Sequence, residues 1–320
     1  MKKILLSLLV LISLTLVGCN PSNNGDNDKK EEEQKQEYKV IMPSGTPSIS
    51  LSSFVDKKED NITVDIVLGS DPLTAAFTSG NYDIIVAPVN LGAKFYNSVE
   101  DFAYRLYRPI VGGNYYILST EVSSFQELTG KDITLFGQNS TPDVMFRTLC
   151  AYYGVEPNVT YQASVAEANS QLAAGAATTI LTAEPSKTLI SKNKSYNVID
   201  LQELWKEMAG SEYNVTQAGI FVKTGLDKED VEEILAQMEA SLTLALEDTL
   251  NLAKVAKKID TSFTKFSDED LAAAISNCNV LGGGSNYRAD VEYYFNKLIQ
   301  LGLGKSIGGK LPDENFYDYK

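Results

Sequence analysis

The chain has no histidine among its 320 residues, and only three cysteines and one tryptophan. Without histidine it lacks the commonest general base and the commonest metal ligand. Serine–histidine and cysteine–histidine nucleophile systems are excluded with it. Basic clusters are also missing. With a net charge of −14 at pH 7, neither nucleic acid nor an anionic lipid surface is an expected partner. No metal and no other cofactor is expected. Two of the cysteines, Cys150 and Cys278, lie in or near apolar helical stretches and read as buried small apolar residues. A disulfide between them stays open, because an extracytoplasmic chain would permit one.

Long apolar runs are confined to the beginning. Lys2 and Lys3 precede an apolar run from Ile4 to Val17, and Gly18-Cys19 follows. A charged start, a short apolar core and a small residue at the cleavage point describe a signal peptide over residues 1–18. The run is short of the about 20 residues that span a bilayer. Leu16-Val17-Gly18-Cys19 resembles the bacterial lipobox, which implies that Cys19 becomes a lipidated first residue. Asn20 to Glu37 holds no apolar residue besides Pro21, so 19–37 reads as a lipidated cysteine with a disordered tether. Such a tether reaches roughly 20–25 Å from the membrane.

Beyond Glu37 the chain is built on a repeated unit: a buried strand, a polar turn, and a helix begun by a cap and a proline. Asp132–Gly154 is its fullest instance. Ile133, Leu135 and Phe136 form the strand, and Gly137 to Ser140 the turn. Thr141 is a natural N-cap and Pro142 sits where its missing N–H costs nothing. Met145, Leu149 and Tyr152 recur at helical spacing, and Gly154 ends the helix. Free N–H groups at that helix start, beside the Ser140 and Thr141 hydroxyls, would receive a polar or anionic group. Lys39–Met42 with Pro43–Pro47 repeats the design, as does Ile62–Leu68 with Gly69-Ser70-Asp71-Pro72. One cap-proline start alone is an ordinary helix terminus. Three of them at strand ends are expected to converge on one cleft, because ligands of open α/β sheets bind outside the carboxyl ends of the strands.

The remaining strands read as Tyr82–Asn90, Phe102–Ile110, Asn114–Ser119, Val159–Gln162, Thr178–Thr182, Val198–Leu201 and Val215–Val222. Gly112-Gly113 is a candidate joint, Ser164 with Glu167 a capping box, and Glu184 falls at a strand end. From Asp227 the pattern is helical: Asp227–Ile259, Ser267–Asn277 and Asn286–Gly302. This order predicts an α/β protein of two lobes joined by two strands. Residues 38–113 with 220–320 form the first lobe and 114–219 the second. Lobes so joined close around a ligand by hinge motion.

At this point the chain resembles the solute-binding lipoproteins of bacterial ABC importers, which have the type II periplasmic-binding-protein fold. The nearest group is the one that binds nitrate, sulfonates and taurine, or pyrimidine precursors. The resemblance rests on MPSGTPSISL (Met42–Leu51), YDIIVAPVNLGAKFYN (Tyr82–Asn97), FGQNSTPDVMFRTLCAYYGV (Phe136–Val155), TILTAEPS (Thr179–Ser186) and GKLPDENFYDY (Gly309–Tyr319). It implies a monomer that captures a small-molecule solute and passes it to a membrane permease, without enzymatic activity. It also implies a cleft of Ser44, Gly45, Thr46, Ser70, Pro88, Asn90, Asn114, Tyr115, Gln138, Asn139, Ser140, Thr141 and Glu184.

Two carboxylates complicate an anionic ligand. Glu184 in the cleft would suit an amino group or a protonated ring nitrogen, and Asp71 either joins it or caps its helix and faces away. Tyr115 would stack on a flat ring. Tyr116 and Phe136 fit that role or, more simply, core and hinge packing. Two other functions fit the same chain. One is a lipid-anchored sensor reporting to a membrane receptor. The other is a hydrolase using Asp71 with Glu184, which would need their pKa values pushed apart.

Overall fold

The computed structural model describes residues 36–192, 194–210, 213–282 and 287–319. The leader, Cys19 and all of the tether except its last two residues lie outside them. The first stretch runs β1 (Tyr38–Pro43), α1 (Thr46–Ser50), α2 (Ser52–Lys57), β2 (Ile62–Val67), α3 (Asp71–Ser79), β3 (Ile84–Pro88), α4 (Val89–Ser98) and β4 (Tyr104–Gly112). The second runs β5 (Tyr115–Ser119), β6 (Asp132–Phe136), α5 (Thr141–Tyr153), β7 (Asn158–Gln162), α6 (Val165–Ala173), β8 (Thr179–Ala183), α7 (Ser186–Ser191), β9 (Asn197–Asp200) and α8 (Leu201–Ala209). Then β10 (Thr216–Lys223) leads to α9 (Lys228–Glu247), α10 (Thr249–Ile259), α11 (Asp268–Ile275) and α12 (Tyr287–Gln300).

These strands form two five-stranded sheets, in the orders β2-β1-β3-β10-β4 and β7-β6-β8-β5-β9. In the first, β1 lies parallel to β2 and β3, and β10 runs antiparallel to both β3 and β4. In the second, β6 is parallel to β7 and β8, and β5 is antiparallel to β8 and β9. The parallel strands point their carboxyl ends, and therefore their loops, the same way. Chain crossings occur at Gly112 to Asn114 and before β10. Pairing in the first sheet resumes at Thr216, opposite Gly112, four residues before the sequence placed the boundary.

The inner strands β3 and β10 are buried on both faces, which is why they read as nearly continuous apolar runs. In β3, Ile84 and Val86 face one core, with Ile234, Met238, Leu242, Leu271 and Ile275 of the helical finish. Ile85 and Ala87 face the other, with Phe77, Tyr104 and Phe221. The alternation is the period of two that a strand imposes. The second core continues into the other lobe through Ile117, Leu135, Val144 and Trp205. Each such side chain contributes about 1.5–3 kcal/mol.

The helical pattern read as Asp227–Ile259 is two helices. Asp248 breaks it with φ −139° and ψ 72°, and its carboxylate accepts from the Asn251 N–H at 3.1 Å. A short acidic side chain satisfies a helix start better than a helix interior, so local capping outcompetes continuation. Cys150 and Cys278 are both free thiols and both buried. Burial pushes each up to about 12, so neither is a ready thiolate.

Candidate functional site

The loops after β1, β2, β3, β6 and β8 meet in a cavity of about 660 Å³ between the sheets. Gly45 makes the first turn possible: its φ of +116° is open to glycine and strained for other residues. The hydroxyl of Ser48 then accepts from the Gly45 N–H at 3.2 Å and closes the start of α1. Of the residues expected in the cleft, Ser44, Gly45, Thr46, Ser70, Pro88, Tyr115, Ser140, Thr141 and Glu184 line the cavity.

Asn90 and Asn114 do not line it. They lie beneath its walls and tie the lobes together. Thr141 Oγ1 of the second lobe is 3.0 Å from Asn90 Oδ1 and 3.0 Å from the Gln217 carbonyl, and Asn90 Nδ2 donates to the Asn139 carbonyl at 3.3 Å. Asn114 Nδ2 donates to Thr46 Oγ1 at 2.6 Å, and Thr46 Oγ1 donates to the Glu184 carbonyl at 3.2 Å. The Glu184 N–H closes this circuit on the Asn114 carbonyl at 3.1 Å. The crossing itself is braced by Asn279, whose side chain donates to the Gly113 carbonyl at 3.0 Å. A Cβ on Gly112 would come within 2.3 Å of that side chain.

The start of α5 differs from expectation by one residue: Ser140 is the N-cap, Thr141 the first helical residue and Pro142 the second. Gln138 and Asn139 are exposed and lie outside the cavity. The anion-receiving position is also partly filled from within. Asp143, 1% exposed, accepts from the Asn139 N–H at 2.7 Å, from Arg147 at 3.0 and 2.9 Å, and from the Tyr161 hydroxyl at 2.8 Å. A carboxylate in the first turn answers the positive end of the helix. Burial and this carboxylate push the Tyr161 hydroxyl up to about 12.

Glu184 is held in a similar way. Its carboxylate accepts from the Thr188 N–H at 3.1 Å and the Thr188 hydroxyl at 3.0 Å, and pairs with Lys187 at 3.3 Å. It therefore offers no free charge to an amine. Asp71 is exposed in the first turn of α3 and does not line the cavity, so no carboxylate pair forms. Tyr115 and Phe136 both face the cavity, with ring centroids 6.4 Å apart. Burial holds the Tyr115 hydroxyl well above its usual range. Tyr116 points to the opposite face, under the Lys187 ammonium at 4.7 Å.

Several lining residues carried no signal of their own in the sequence. Gln217 and Ala218 come from β10, Asn169 from α6, Leu189 and Ile190 from α7, and Phe263 and Phe266 from the link between α10 and α11. No local motif joins them, although the polar Gln217 inside an apolar strand was a visible irregularity. A second depression, about 740 Å³, lies between Ser123–Gln126 and α8. Its walls come from one lobe only, so lobe closure would not enclose it.

Two α/β lobes, each sheet carrying an antiparallel strand and the cleft lying at the parallel strand ends, define the type II periplasmic-binding-protein fold. The chain belongs to the menaquinone biosynthesis family, whose model matches residues 61–305. Among solved structures it is similar to an ABC transporter protein from Parabacteroides distasonis, at 19% identity and a TM-score of 0.69, over 88% of this chain and 98% of that one. It is also similar to the alkanesulfonate-binding protein SsuA from Xanthomonas axonopodis pv. citri bound to MOPS, at 14% identity and a TM-score of 0.63, over 87% and 95%. The aliphatic sulphonate-binding protein SsuA from Escherichia coli gives 13% and 0.62, over 84% and 91%. At these identities the likeness is one of fold. Among curated protein sequences none matches this chain.

Proposed function

We propose that this chain is an extracytoplasmic solute-binding lipoprotein of an importer. It captures one small molecule between its lobes and presents it to a membrane permease. The observation that carries the reading is the interlobe cavity, walled by loops from both sheets and edged by hydrogen bonds that cross from lobe to lobe. A ligand seated there favours the lobes-together form by its preference for that form, which is the basis of hinge closure. Its structural neighbours include one described as an ABC transporter and two described as sulfonate-binding proteins, which supports the reading. The chain acts as a monomer held to the membrane through lipid on Cys19, with residues 20–37 as its tether. Among the described residues no helix is long and apolar enough to cross a membrane.

The test uses cells making the full chain. Cys19→Ala should move the protein out of the membrane fraction while leaving capture intact. Deleting the chain should abolish uptake of the captured solute; unchanged uptake would point to a lipid-anchored sensor instead. The family's description favours a second reading, a biosynthetic enzyme. Against it stands the chemistry of the walls: of the ionisable lining residues, Glu184 is paired with Lys187, Lys265 is exposed at the rim, and burial holds the Tyr115 hydroxyl protonated. Recovery of the captured molecule with its mass unchanged after prolonged incubation supports capture, and a changed mass supports the enzyme.

A further inference from the structure

Resting on that reading of the cleft as a solute site, we infer that it selects an uncharged, largely apolar ring compound bearing an amide. Such a ligand is read by the carboxamides of Gln217 and Asn169. Four observations converge on this.

The first is charge. A charged ligand needs a counter-charge or a free helix start once water is excluded. The Glu184 carboxylate is already held by Thr188 and Lys187. The second is the start of α5, where the Asp143 carboxylate, itself paired with Arg147, already takes the Asn139 N–H and leaves that position filled to an incoming anion. The other charged lining residue, Lys265, is exposed at the rim and screened by solvent, so the enclosed part of the cleft offers no counter-charge to an anion or to a cation. The third is the wall itself, in which Leu73, Phe136, Leu189, Ile190, Phe263 and Phe266 surround the cavity. Flat rings match such a surface in area and in edge-to-face geometry.

The fourth observation supplies the polar reading. Gln217 Oε1 and Asn169 Oδ1 are buried without a hydrogen-bond partner, and both residues line the cavity. Buried polar atoms normally have partners, so two at one cavity mark where a ligand's polar atoms belong. One stands on β10 at the crossing and the other on α6 of the second lobe. A ligand bridging them would draw the lobes together. A carboxamide presents an acceptor and donors side by side, so either orientation of its group pairs with the N–H and C=O of a ligand amide.

The experiment is calorimetric titration of the full chain in lipid nanodiscs with three probes sharing one ring system: naphthamide, naphthalenesulfonate and naphthylmethylamine. Naphthamide should bind most tightly. Gln217→Leu and Asn169→Leu, near in volume to the residues they replace, should each weaken it by about tenfold, the scale of one hydrogen bond. Both variants should melt as the unaltered chain does. Tighter binding of the sulfonate or the amine to the unaltered chain overturns the inference and leaves solute capture standing. So does naphthamide binding that neither variant weakens. If no probe binds, mass spectrometry of small molecules released by heating chain purified from growing cells decides. An uncharged ring amide supports the inference, any other compound overturns it alone, and no released compound overturns capture as well.

Discussion

Single side chains show where residue type predicted position and where it did not. Thr141 was expected to turn its hydroxyl to a ligand, and instead places it within reach of Asn90 and Gln217. Glu184 was placed correctly at a strand end, but its charge is consumed by Thr188 and Lys187. Position along a strand follows from the sequence, and the Glu184 partners stand three and four residues after it at helical spacing, whereas those of Thr141 are brought by other elements. Asp290, 5% exposed on α12, accepts from the Asn214 N–H at 3.1 Å. Burial nonetheless holds its carboxyl above the usual range. A carboxyl raised in the fold contributes stability below its unfolded pKa and loses it as pH rises through the folded one. Asp290→Asn should therefore raise the melting temperature at pH 7, with the gain vanishing below about pH 4. Melting curves across that range check it, and a variant less stable at pH 7 would contradict it.

Elements were more legible than contacts. Among the described residues the ten strands follow from short apolar runs, and all lie within a few residues of their expected places. Half of the capping box at Ser164 forms: its hydroxyl accepts from the Glu167 N–H at 3.2 Å, while the Glu167 carboxylate accepts from the Ala163 N–H at 3.1 Å, one residue before the cap. Helix continuity was less legible. Leu51 separates α1 from α2, and Asp248 separates α9 from α10. Apolar spacing persists through both breaks, so periodicity alone does not reveal them. Asp248→Ala removes the cap of α10 and should cost about 1 kcal/mol, or roughly 2–4 °C in melting temperature. A circular dichroism melt measures it. No change would mean that packing, and not the cap, holds the break.

At the scale of the molecule the two lobes meet through few polar contacts around a largely apolar cavity. Thr46 is the most economical of these, since its one hydroxyl serves both Asn114 and the Glu184 carbonyl. Thr46→Val preserves volume and leaves two buried groups without that partner, a cost of about 1–3 kcal/mol. That cost falls on the lobes-together form, so the variant should shift toward an open form. Small-angle scattering should show a larger radius of gyration for the variant, and an unchanged radius would show that other contacts decide closure.

The sequence by itself determined the strand and helix order, the two-lobed α/β class, and which turns would sit at strand ends. These come from local patterning: apolar periodicity, caps, and glycines and prolines at turns. Only the tertiary structure decided which side chains line the cavity. Gln217, Asn169 and Phe263 are far apart along the chain, and no local pattern encodes their meeting. The pairs Glu184–Lys187 and Asp143–Arg147 are spaced three and four residues apart and so follow from helical spacing, but only the tertiary structure buried their carboxylates, to 3% and 1% exposure, because burial depends on what distant elements pack over them.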